Sequence, residues 1–264
     1  MTPAVFSVQD RVAVITGGLG QLGRQFAAAL TAAGARVAVL DTRSPSVPGD
    51  TGSCLDICAD VTDRSSLEAA LQVIEARWDT PHILINNAAL DSPPDAPAGS
   101  NGAFETYPVD LWRRILDVNV TGVFLCCQVF GGRMAEAGRG SVINVASIYG
   151  VISPDQRIYE YRRRRGEDFF KPAAYSASKS ALLNLTRYLA TYWAPRNVRV
   201  NTVSFAGVFN SQDDHFLAAY TARVPLGRMA REDEYNGAIL FLASDASSYM
   251  TGSNLVLDGG YTAW

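Results

Sequence analysis

The chain is poor in the residues that bind metals. Its 264 residues include two histidines, His82 and His215, and four cysteines, Cys54, Cys58, Cys126 and Cys127. Together these do not form the spacing of a zinc site, so no structural or catalytic metal is expected. The cysteines read as reduced, buried thiols of a cytoplasmic protein. Net charge is scarce as well, at −3, which gives no field for nucleic acid or a membrane surface. No apolar run reads as long enough to cross a bilayer. The opening MTPAVFSVQDR lacks the basic and apolar blocks of an export signal. Internal repeats and linkers are missing too. What remains is 48% hydrophobic, enough for a substantial core in one large α/β domain or two small ones.

The apolar segments alternate between two periods. Arg11–Thr16, Arg36–Leu40, Ser53–Ala59, Ile83–Ile85, Ser141–Val145, Val198–Val203 and Asn254–Leu257 read as strands, several of them apolar throughout, as strands buried on both faces are. Between them Arg24–Ala33, Asp63–Trp78, Val109–Met134, Pro172–Trp193 and Arg231–Ser244 read as helices. The Pro- and Ser-rich stretch 42–51 and the stretch 90–108 read as loops. Strand–helix alternation of this kind predicts a single domain, 1–264, built on a doubly wound parallel sheet of the Rossmann type. Right-handed crossovers would then bring all strand C-termini to one edge.

The first strand runs into Gly17, Gly18, Leu19, Gly20, Gln21, Leu22 and Gly23, and the next strand closes on Asp41. Strand, glycine turn, helix, strand, acid is the setting in which G-x-G-x-x-G binds a dinucleotide. The glycines permit a tight turn and close approach of a pyrophosphate, and the helix start offers free N–H groups. Asp41 stands where a carboxylate takes both hydroxyls of an adenosine ribose and repels a 2′-phosphate, which favours NAD over NADP. Arg43 is the counter-argument, because a guanidinium there can pair with that phosphate.

Tyr175 and Lys179 are four residues apart near the start of a helix, so they share one face. A free phenol, with a pKa of about 10, is a poor base at neutral pH. A neighbouring cation favours its ionised form, and each tenfold gain in acidity is worth about 1.4 kcal/mol. Such a tyrosine can exchange a proton with an alcohol or ketone. The competing reading is a packed tyrosine beside a solvated lysine.

At this point the chain resembles the single-domain, NAD(P)-dependent branch of the short-chain dehydrogenase/reductase family. The resemblance covers nearly the whole chain. It is carried by the turn Thr16–Gly23, Asp60-Val61, Asn86-Asn87-Ala88, Asn119, Ser147, Tyr175 with Lys179, Arg199-Val200-Asn201, Thr251-Gly252 and Asp258-Gly259-Gly260. It implies that Tyr175 is the acid/base and that Lys179 holds the nicotinamide ribose and acidifies the phenol. It implies further that Ser147 binds the substrate oxygen and that Asn119 positions a water relaying protons from Lys179. Asp60 and Val61 would border the adenine, Asn87 and Ala88 would flank the cofactor, and Val208 and Asn210 would meet the carboxamide. The family also implies a homotetramer or homodimer joined through Val109–Met134 and Pro172–Trp193, with Tyr261 and Trp264 packed on a neighbouring subunit.

Three departures from that pattern stand out. Position 21 is Gln, and a glycine occupies position 20 instead. Phe205-Ala206-Gly207 replaces Pro-Gly after the sixth strand, so the nicotinamide end is expected to be looser, or reshaped by the aromatic ring. Ser147 and Tyr175 are also unusually far apart, separated by an insertion near 155–171 that carries Arg162, Arg163, Arg164 and Arg165. These arginines could reach an anionic substrate such as a sugar phosphate or sugar acid. Alternatively they are a solvated loop balanced by Glu160, Glu167 and Asp168, or a subunit contact. The insertion and the chain's end also resemble enzymes of bacterial surface-sugar and flagellin-glycan pathways. A helical lid is expected over Ser211–Arg223, within 208–225.

The expected function is therefore NAD-linked interconversion of a secondary alcohol and a ketone on a small, sugar-derived molecule. Three other readings remain open. They are a 3-oxoacyl or other ketone reductase of the same family, a nucleotide-sugar epimerase or dehydratase with tightly held NAD, and a non-catalytic dinucleotide-binding regulator.

Overall fold

The computed structural model describes residues 4–43, 52–91 and 101–264. Residues 44–51 of the first expected loop and 92–100 of the second lie outside them. Seven parallel strands form one sheet: β1 (Val12–Thr16), β2 (Arg36–Asp41), β3 (Cys54–Cys58), β4 (Ile83–Asn86), β5 (Gly140–Val145), β6 (Val198–Phe205) and β7 (Asn254–Leu257). Their order is β3-β2-β1-β4-β5-β6-β7, so the winding reverses between β1 and β4. A crevice at the C-terminal strand ends belongs at that reversal.

Period-two alternation sorts the strand side chains into two cores. Val12, Val14, Leu40, Leu84, Val142 and Val200 face one side, where Leu67, Phe130, Leu182 and Trp193 cover them. Ala13, Ile15, Val37, Val39, Ile83, Ile143 and Val203 face the other, against Phe26, Leu30, Ile239 and Leu242. The helices are α1 (Gln21–Ala32), α2 (Arg64–Arg77), α3 (Val109–Glu136), α4 (Glu160–Arg164), α5 (Ala173–Trp193), α6 (Asp214–Thr221) and α7 (Asn236–Ala243), of which α4 and α6 pack outside the two sheet cores. Asp63 caps α2 by accepting from Ser65 N–H. Asp213 caps α6 by accepting from His215 N–H.

Several expectations change here. The helix α3 is interrupted by π turns at Asp117–Thr121 and Cys127–Gly131. It is also long and apolar enough to span a membrane by length and composition, contrary to the sequence reading. Half of its apolar window is buried in the domain, where Val123, Phe130 and Met134 join the core. Pro172 sits at the N-cap of α5 rather than inside its first turn. Cys126 and Cys127 are buried thiols, but Cys54 is half-buried and Cys58 exposed, because β3 is the edge strand of the sheet.

A buried polar chain crosses the sheet under the site. Asn86 Nδ2 donates to Asn144 Oδ1 at 2.8 Å, and Asn144 Nδ2 donates to Thr186 Oγ1 at 2.8 Å. Thr202 Oγ1 donates to the same Thr186 oxygen at 2.7 Å. Strands β4, β5 and β6 are thereby tied to α5 at a fixed height.

Candidate active site

The glycine turn is shaped by lack of room. Gly17 has φ +61, and a Cβ there would lie 2.7 Å from Ala88 Cα. At Gly18 it would meet Val39 at 2.5 Å, and at Gly23 the Gly17 carbonyl at 2.4 Å. Gly18 and Gly23 thus let α1 pack onto the turn, while Gly17, Gly20, Gln21 and Leu22 line a cavity of about 590 Å³ above it. Gly20 is the N-cap of α1 and makes no side-chain cap hydrogen bond, so the first-turn N–H groups suit an anion. Asn87 Nδ2 donates to the carbonyls of Thr16 and Gly17, both at 3.1 Å, which pins the turn to the end of β4.

Asp41, Asp60, Val61, Asn87 and Ala88 line the same cavity. Burial alone would raise the Asp41 carboxyl. Hydrogen bonds from Arg43, with those from the Arg43 and Leu19 N–H groups, outweigh it and hold the group below its usual range. Arg43 grips both Asp41 oxygens, at 2.8 and 2.9 Å. The residues fit a dinucleotide: a carboxylate at the ribose position, close backbone and an open helix start.

A second cavity, of about 310 Å³, adjoins the first through Gln21, Leu22 and Asn87, and is lined by Ser147, Tyr175, Lys179, Val208 and Asn210. Ser147 closes β5 and caps the turn Ile148–Gly150. Gly150 lies directly on α5, because a Cβ there would be 2.8 Å from the Lys179 backbone. That contact brings Ser147 to Tyr175 across the inserted segment.

Lys179 is buried and donates to the Val145 carbonyl at 2.8 Å. Burial lowers its pKa to about 8, although Asp91 pulls the other way. The Tyr175 phenol is raised, first by burial and then by the Asp91 carboxylate, against the hydrogen bond from Ser147. The expected acidification by Lys179 is not what this state shows. Its ammonium lies 5.8 Å from the Tyr175 ring centroid, and that of Lys171 is closer, at 4.7 Å. Asn119 is fully buried in the first π turn of α3. Its side chain binds the Leu90 backbone in both directions, at 2.7 and 3.0 Å, and donates to Ser178 Oγ.

The four insertion arginines do not enter this cleft. Arg162 pairs with Glu167 and covers the Phe169 ring. Arg163 donates to the carbonyls of Phe169 and Gln156, and Arg164 pairs with Glu160. Arg165 pairs with Asp213 at the cap of α6. A guanidinium is held where carboxylates and carbonyls surround it, and here these come from the insertion and the expected lid. Asp155 completes the clasp by accepting from Arg157 and from Arg223, just beyond α6. The ring of Tyr159 packs on Phe216 of α6.

The segment Phe205-Ala206-Gly207, expected to be looser or reshaped, is not loose. Phe205 stacks on Tyr235 at 3.9 Å, Tyr235 donates to the Ala206 carbonyl, and Gly207 N–H donates to the Tyr220 oxygen at 2.6 Å. Tyrosines thus supply the restraint that proline's ring would have given. Tyr261 is buried inside its own chain against Tyr220 rather than offered to a neighbour, whereas Trp264 is 81% exposed. The sequence reading missed Lys171 and Asp91, which line the second cavity beside Tyr175. The place of Lys171, one residue before Pro172, was the available signal.

The chain is similar to known proteins over nearly its whole length. A family model described as Enoyl-(Acyl carrier protein) reductase matches residues 20–262. The chain is 34% identical to D-threitol dehydrogenase of Mycolicibacterium smegmatis, over 97% of this chain and 95% of that protein. It resembles the crystal structure of a short chain dehydrogenase from Leptospira borgpetersenii with bound NAD+, with TM-score 0.85 and 33% identity, over 99% of this chain and 96% of that one. It also resembles a gluconate 5-dehydrogenase from Burkholderia cenocepacia in complex with NADP and tartrate, with TM-score 0.85 and 27% identity, over 99% and 98% of the two chains.

Proposed function

The chain belongs to the short-chain dehydrogenase/reductase family, and from that premise we propose that it is an NAD-dependent dehydrogenase interconverting a secondary alcohol and a ketone on a sugar-derived polyol. The observation that carries the reading is the meeting of Ser147, Tyr175 and Lys179 in the second cavity, which adjoins the first through Gln21, Leu22 and Asn87. Gly17, Gly20, Gln21 and Leu22 would hold the diphosphate, Asp41 the adenosine ribose, and Asp60 and Val61 the adenine. Lys179 would hold the nicotinamide ribose, and Val208 and Asn210 the carboxamide. A nicotinamide so held supplies the hydride acceptor or donor and, when oxidised, a positive charge that favours the phenolate.

The protein's own groups do the rest. In oxidation Tyr175 takes the hydroxyl proton from the substrate. Ser147 donates to the substrate oxygen and steadies it as its charge changes. Lys179 returns the proton toward solvent through water fixed beside Asn119. The clasped α6 closes over the substrate and excludes bulk water. Because the insertion arginines are committed elsewhere, the support for a phosphorylated or acidic substrate falls away and an uncharged polyol is favoured. The relative that acts on D-threitol supports the same class.

The subunit pairs with copies of itself through α3 and α5, whose Phe124, Tyr188 and Tyr192 are exposed, and it works among reduced thiols in the cytoplasm. A second reading, NADP use, is favoured by one observation, the guanidinium of Arg43 at the ribose position. The test is turnover of a polyol panel with NAD, followed by cofactor absorbance. Tyr175→Phe should lose about 10³-fold in kcat, the scale of general acid–base catalysis, while still binding NADH. Undiminished turnover in that variant would overturn the reading.

A further inference from the structure

The substrate side of the cleft holds a second charged pair, built where the insertion ends. Lys171 precedes α5, its side chain is 4% exposed, and its ammonium donates to Asp91 Oδ1 at 2.5 Å. That ammonium stands 4.7 Å from the Tyr175 ring centroid. The Lys171 backbone is held at both ends of its residue: its N–H donates to Gln156 Oε1 at 2.9 Å, and its carbonyl accepts from Gln156 Nε2 at 3.0 Å. Both charged side chains line the 310 Å³ cavity with Ser147 and Tyr175.

The pair is asymmetric, and the asymmetry has a chemical meaning. A buried ammonium needs a carboxylate beside it. Here the cation lies inward, while the Asp91 side chain is 41% exposed. A molecule entering the cavity therefore meets a carboxylate seated on a hidden cation. A carboxylate only accepts hydrogen bonds, and with about four lone-pair sites it can receive hydroxyls as well as the ammonium it is seated on. It repels a phosphate or another carboxylate.

We propose that Asp91, seated on Lys171, accepts hydrogen bonds from hydroxyls adjacent to the reacting carbinol, and so selects uncharged polyols over both simple alcohols and anionic sugars. Asp91 touches the substrate, and Lys171 is its positioning residue. This rests on the reading of the cleft as a dehydrogenase site.

The test compares three probes on the intact enzyme with NAD: a four-carbon tetraol, 2-butanol and the corresponding tetronate. Asp91→Asn keeps the shape and removes the charge. It should cut the tetraol-to-2-butanol ratio of kcat/KM by about 10–100-fold, the worth of a hydrogen bond to a charged group. It should also raise the tetronate-to-tetraol ratio by about 10-fold, because a repulsive charge has gone. Lys171→Met should lower the first ratio as well, with retained NADH binding as the check on folding. Unchanged ratios in Asp91→Asn, in an enzyme that turns over the tetraol, would sink the assignment and leave the dehydrogenase reading standing. Failure of the wild type to oxidise any probe would bring both down.

Discussion

The side-chain amide of Gln21 donates to the carbonyl of Phe209 across 3.1 Å, joining the first turn of α1 to the segment after β6. Gln21 lines both cavities, so this bond bridges the place where they meet. A dinucleotide spanning both cavities, as proposed, would lie against it. Gln21→Ala is expected to speed NADH release by about 3–10-fold, the worth of one neutral hydrogen bond. Stopped-flow fluorescence of NADH displacement measures this, and equal off-rates would show that the bond does not restrain the cofactor.

Cofactor choice should turn on Asp41. Its carboxylate opposes a 2′-phosphate and occupies the Arg43 guanidinium. Asp41→Ala removes the repulsion and frees the arginine for the phosphate. The NADP-to-NAD ratio of kcat/KM is expected to rise by about 100-fold, a change of roughly 3 kcal/mol. Arg43→Ala should lower the same ratio. Steady-state kinetics with both cofactors decides, and a ratio unmoved in Asp41→Ala would place adenosine recognition elsewhere.

Lys179 should leave a mark on stability. Its folded pKa is about 8, against about 10.4 for lysine in an unfolded chain. Between those values the unfolded chain binds the proton more tightly, so stability rises with pH across that window. Relative to Lys179→Met, the wild type is expected to gain on the order of 3 kcal/mol between about pH 7.5 and pH 10.5. Urea melts across this range test it, and a difference that stays flat or narrows with rising pH contradicts the burial of a charged lysine.

The clasp between insertion and α6 makes a separate prediction. Asp155 is held well below the usual carboxylate range, first by its hydrogen bond with Arg157 and also by Arg223. Asp155→Ala releases Arg223 from the insertion. Amide exchange in Asp214–Thr221 should then quicken by about 10-fold, since local opening follows the loss of tertiary ties. The substrate KM should rise while NADH binding holds. Unchanged exchange would mean that the remaining ties, Arg165 to Asp213 and Tyr159 against Phe216, suffice.

The sheet was legible because its strands are apolar on both faces. A buried, mostly β-branched run such as Val12–Thr16 has few other places to go. The meeting of Ser147, Tyr175 and Lys179 was legible because Ser147 follows β5 and the other two lie in the first two turns of α5, where position in sequence fixes position in space. What sequence could not show was how the irregular segments use their side chains. Four consecutive arginines look like an anion site until Glu167, Glu160, Asp213 and two carbonyls are seen around them. Phe205 in place of proline looks like lost restraint until the Tyr235 ring is found stacked on it. Asp91 and Lys171 are 80 positions apart, so no local pattern announces that they touch. The π turns in α3 likewise follow from packing and carry no periodicity of their own.

Gln156 and Lys171 meet through two hydrogen bonds to the Lys171 backbone, so the inserted segment is closed at its neck. Its tip can grow, shrink or change sign without displacing the start of α5. Substrate preference and lid contacts are thereby free to drift in evolution, or to be swapped as a cassette in the laboratory, while the spacing of serine and tyrosine is inherited unchanged.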